Sequence, residues 1–132
     1  MSSPTSRELG QRNGVAIFRE LAGDGALPPW EAIGDLAPAL AEHIEHALGT
    51  VLGQPGLDLR TREIVTVALL AALGNAEQQL AFHAAAALRT GASPTEIVEA
   101  VTQVAIYAGI PRALNGLAVT RQVLESWQPD IA

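Results

Sequence analysis

The chain has 132 residues, the usual size of one domain, and 48% of them are apolar but only 4% aromatic, so a core must be built from Ala, Leu, Val and Ile. It has no cysteine and all eight basic residues are arginine, which excludes disulfides, thiolate nucleophiles, Cys-ligated metals and lysine Schiff bases. A net charge of −6 without any basic run argues against a nucleic-acid partner.

Residues 1–6 read as a polar, mobile tail with no secretory pattern. A first helix is expected over residues 7–21, with Val15, Ile17, Phe18 and Leu21 as its apolar positions. Glycines and prolines over 23–29 form a connector, and a longer helix follows over 30–52, broken by Gly53-Gln54-Pro55-Gly56. Asp58 is a good N-cap for a helix carrying residues 61–73, which Gly74 ends. Asn75 is expected to cap the next helix, residues 76–90, ended by Gly91. Ser93-Pro94-Thr95-Glu96 combines an N-cap serine, a proline at the first helical position and a glutamate able to close a capping box. That helix should run to about residue 108 and stop at Gly109. Pro111 opens a last helix to about residue 127. The pattern predicts an all-α fold of about six helices in a single domain over 1–132, without internal repeats or strand alternation.

Residues 64–73 are apolar on every face except at Thr66. The run is about half of the ~20 residues that a membrane span needs, so no membrane is expected and the cytoplasm is the default location. A helix apolar all round belongs at the centre of a bundle or in a subunit interface. With so much apolar surface on a short chain, self-association is the expectation.

Within the nearly as apolar helix that follows, Ala76, Gln79 and His83 fall on one stripe, while Glu77 lies about 120° around the helix from His83. Two readings are open: His83 projects into a pocket lined by Gln79, or it is a hydrogen-bonded core histidine. His43 and His46, three apart beside Glu42, offer only two imidazoles, and a solvated face or subunit contact is favoured over a metal site. Tyr107 either lines a pocket with its hydroxyl or packs in the core or an interface, and Trp30 and Trp127 are read as packing residues.

The stretch Pro55-Gly56-Leu57-Asp58-Leu59-Arg60-Thr61-Arg62-Glu63, continued by Ile64 through Gly74, resembles the carboxymuconolactone decarboxylase family. Glu77 with His83, the turn and cap over residues 91–97, and Gln103 through Pro111 extend the similarity to roughly residues 38–125. The resemblance implies an alkyl hydroperoxidase D-like helical fold, assembled as trimers or hexamers with sites near subunit contacts. It implies a cofactor-independent carboxy-lyase that removes carbon dioxide from a small carboxylated lactone in aromatic-acid breakdown, with neither cofactor nor metal. The peroxidases of the same superfamily carry Cys-x-x-Cys-x-x-x-His on this helix. Aligned on His83, their cysteine slots hold Ala76 and Gln79, so thiol peroxidase activity is not expected.

Under this resemblance His83 delivers a proton near neutral pH, and Glu63 or Glu77 orients its ring or restores the proton. Gln79 and Tyr107 are candidate lining residues, and Arg60, Arg62 and Arg112 are candidate clamps for a carboxylated substrate. Arg112 departs from the family pattern, standing where small residues usually follow the Gly-Ile-Pro segment. A cyclase or isomerase using the same pocket, and a non-catalytic small-molecule-binding oligomer, stand as alternatives.

Overall fold

The computed structural model describes residues 2–128, and among them the chain is all-helical. The helices are α1 (Ser6–Ala22), α2 (Pro29–Ile33), α3 (Pro38–Leu52), α4 (Leu59–Leu73), α5 (Glu77–Arg89), α6 (Pro94–Tyr107) and α7 (Ile110–Ser126). They divide into two compact units, Met1–Leu57 and Asp58–Ala132. No helix among the described residues is long and apolar enough to cross a membrane.

In the first unit, Thr5 and Glu8 form a capping box, so helical order begins inside the segment read as a tail. Phe18 meets Trp30 edge to face at 5.4 Å, and the two pack with Ala41 as the centre of this unit. The single helix expected over 30–52 is instead two, α2 and α3. Pro38 takes the first helical position of α3, and the residue before it, Ala37, leaves the helical region at φ −138°, ψ 70°. Proline has no N–H to donate and its ring collides with the carbonyl four residues back, so the helix cannot run through it. The axes of α1 and α3 approach closely: a Cβ on Gly49 would fall on the Gly10 carbonyl oxygen, and one on Gly14 would meet that of Glu45.

The second unit packs α4 to α7 around Val67, Ala71, Leu80, Ala84, Ala87, Ile97 and Val101. Small side chains let these helices approach: a Cβ on Gly116 of α7 would lie 2.9 Å from Val101 Cγ1 and 3.0 Å from Ala71 Cβ. Asp58 accepts from the Thr61 N–H at 2.8 Å and starts α4, while Ser93 and Glu96 close the capping box of α6. Asn75 does not cap α5. Gly74 and Asn75 both take positive φ (70° and 55°) to reverse the chain within three residues, so Ala76 stands at the cap without a side-chain bond. Asparagine tolerates the left-handed region, and the tight reversal uses it there.

Candidate active site

Glu63 lies one turn into α4, on the side facing α5, and its side chain is 0% exposed. Its Oε2 sits 2.7 Å from Nδ1 of His83, which projects from the middle of α5 with 22% of its side chain exposed. The other carboxyl oxygen, Oε1, is buried and has no hydrogen-bond partner among the described residues. A buried carboxylate with one partner depends on that partner for its stabilisation, so the two side chains form one chemical unit. With Nδ1 committed to Glu63, Nε2 is the ring nitrogen left for another partner. The Phe82 ring stands edge-on to the imidazole at 4.9 Å.

Local structure explains why the pair meets. The Asp58 cap fixes the start of α4, and the Thr61 N–H holds its carboxyl below the usual range. Arg60 then ties this end of α4 to the α5–α6 turn, pairing with Glu96 and donating from Nε to the Gly91 carbonyl at 3.3 Å. Glu96 completes the α6 capping box with its other oxygen. The Ser93 N–H and, after it, the Arg60 guanidinium hold its carboxyl below the ordinary glutamate value. At the far end of α4, Arg112 Nη1 donates to the carbonyls of Ala72 and Leu73, placing a cation where the helix dipole is negative. Glu63 is thus carried by a helix anchored at both ends.

A model of the carboxymuconolactone decarboxylase family matches residues 38–122 of this chain. The chain belongs to that family. It is 34% identical to 4-carboxymuconolactone decarboxylase of Acinetobacter baylyi over 79 residues, 60% of this chain and 58% of that protein. Over 81 residues it is 36% identical to nitrosuccinic acid decarboxylase of Metarhizium robertsii, which covers 61% and 55% of the two chains. An uncharacterized 15.0 kDa protein of Paracoccus denitrificans is 31% identical over 94 residues, 70% of each chain. The matched region spans somewhat more than half the length of the two named decarboxylases.

In this family member the residues singled out from sequence do not all converge. Glu63 and His83 meet. Glu77 and Arg112 instead border a cavity of about 20 Å³ with Asn115, room for about one water. Arg60 and Arg112 are both engaged in holding α4, as described. Arg62 is half-buried, and its carbonyl accepts from Thr66 Oγ1 at 2.9 Å. Gln79 is exposed on the first turn of α5. Tyr107, 86% exposed, stands with Gln103 on the wall of an open groove of about 370 Å³ between α4 and α6. His83 lines neither hollow. His46 packs its ring against Gly10 of α1, and no three His, Asp or Glu side chains among the described residues gather as a metal site.

Sequence reasoning missed the second role of Glu96. It was legible only as the closing residue of a capping box, because nothing in sequence spacing joins it to Arg60, 36 positions away.

Proposed function

We infer that this protein is a decarboxylase acting on a small acid whose departing carboxyl is conjugated to an internal electron sink. The observation carrying this reading is the 2.7 Å contact between the fully buried Glu63 carboxylate and the partly exposed His83 imidazole. Family membership and the two decarboxylases it resembles support the same reaction class.

On a carboxylated muconolactone, the C–C bond to the carboxylate breaks and carbon dioxide leaves. The bond's electron pair passes through the ring double bond into the lactone carbonyl, giving an enolate. His83 Nε2–H then gives its proton to carbon, the electron pair returns from oxygen to form the C–H bond, and Nε2 is reprotonated from water. Because the substrate carries its own electron sink, the scheme needs no cofactor. Glu63 has the role of accepting from Nδ1–H, which turns Nε2 outward. Nitrosuccinic acid obeys the same logic: loss of the carboxyl beside the nitro group leaves a nitronate, which is protonated on carbon. Both acids keep a second carboxylate, and an arginine is the natural group to hold it.

The test is to supply each acid separately and follow carbon dioxide release together with loss of substrate. Turnover of either one is expected, and His83→Ala should lower kcat by about 10²–10⁴-fold with the helical spectrum intact. If the wild type turns over neither acid, the substrate class is wrong. Unchanged kcat in His83→Ala would remove the role given to that residue.

A further inference from the structure

We propose that the Glu63–His83 pair has a second activity: it exchanges a carbon-bound hydrogen of small acids that have no carboxyl left to lose. The proposal rests on the decarboxylase reading and starts from its last step, in which His83 Nε2 places a proton on carbon. Once that proton is given, the ring keeps its Nδ1–H on Glu63, 2.7 Å away, and turns a bare Nε2 lone pair to the new C–H bond. A base so placed can take the proton back, whereas the carbon dioxide has left and the C–C bond is not remade. Nε2 removes the proton from the carbon beside a lactone carbonyl or nitro group, and the C–H electron pair moves into that group. Nε2–H exchanges its proton with water and returns the new one to carbon, as the electron pair comes back from oxygen. Nothing is oxidised or reduced, and water is the one co-reactant.

Burial decides whether this cycle leaves a trace. A base sealed from water returns the proton it took, and no exchange is seen. The His83 side chain is 22% exposed, so its ring proton meets solvent, while Glu63 at 0% stays shielded and holds the ring. The pair is also one-sided. Glu77, the other glutamate considered for this chemistry, borders the separate cavity beside Arg112, and the Gln79 amide is no base. One base working from one side removes and returns the same hydrogen. Of the two on a product methylene, only the one facing His83 should be replaced.

The test places two such acids with the wild type in deuterium oxide. One is 3-nitropropanoate, left when nitrosuccinic acid loses the carboxyl beside its nitro group; the other is the enol-lactone left by the carboxylated muconolactone. Proton NMR should show one methylene hydrogen replaced, faster than in protein-free buffer, on at least one of them. His83→Ala should lower this protein-dependent exchange by about 10²–10⁴-fold. His83→Asn, whose amide can still give an N–H to Glu63, should lose as much, which separates loss of the base from loss of packing. Carbon dioxide release from the matching carboxylated acids is measured in parallel. Release without exchange overturns the proposal and leaves the decarboxylase reading standing. Exchange without release supports the proton chemistry of the pair and removes the decarboxylation. Exchange undiminished in both His83 variants, or equal replacement of both hydrogens, overturns the proposal. Neither exchange nor release removes both.

Discussion

At 2.7 Å the Glu63–His83 contact ties a buried carboxylate to an imidazole that still reaches solvent, so substitutions on its two sides should act differently. Glu63→Gln keeps the volume but offers Nδ1 an amide in place of a carboxyl, which can present an N–H as well as an oxygen to the ring and so fixes its orientation less firmly. We expect kcat to fall by about tenfold to a hundredfold, less than in His83→Ala, with KM little changed, measured as steady-state release of carbon dioxide. Arg60→Ala should behave in the opposite way. Its guanidinium already holds Glu96 and the Gly91 carbonyl, so stability should drop by about 0.5–1 kcal/mol in urea titration while KM stays put. A large rise in KM would instead make Arg60 a substrate clamp. How much of this was legible in sequence differs by residue. His83 stood out as a polar group in an apolar helix, but two open readings were as far as its position led. Glu63 came from family resemblance alone, because a carboxylate 20 positions upstream in another helix leaves no periodic signal.

Among the elements, those with caps were readable and those set by tertiary crowding were not. Asp58, Ser93-Pro94 and Pro111 announce α4, α6 and α7 because cap chemistry is local: a side-chain oxygen or a fixed φ. Asn75 has the same composition signal as a cap and does a different job, since the choice depends on how quickly the chain must reverse after Gly74. The approach of α1 to α3 had no signature beyond scattered glycines, although it decides how the first unit packs. Gly49 tests it. A Cβ there falls on backbone of α1, which cannot rotate aside, so Gly49→Ala must push the helices apart despite its better helix propensity. We expect about 2 kcal/mol or more of destabilisation in the first unit. In a Trp127→Phe background, Trp30 fluorescence during denaturation reads it directly, because Trp30 packs on Phe18 in that unit. A variant as stable as its parent would mean that the close approach does not hold the pair together.

For the whole molecule, net charge governs how closely copies can approach, and pH sets that charge. At neutral pH a charge of −6 keeps copies apart at long range. Near the isoelectric point of about 4.9 the repulsion vanishes. Solubility should therefore pass through a minimum there, seen as turbidity across a pH series. The two cap carboxylates bear on whether the precipitate is folded. Asp58 and Glu96 are both held below their ordinary values by backbone N–H groups, so the unfolded chain binds more protons than the folded one from about pH 5 downward. Their contribution to stability is complete above that window and is lost as the pH falls through it. At pH 4.9 most of that contribution remains, so the material that comes down should be native. Returned to pH 7, it should redissolve with its full helical circular dichroism, whereas exposure to pH 2–3 should reduce helicity before any precipitation. Loss of helix already at pH 5 would show that some other group, not these caps, sets the acid limit of the fold.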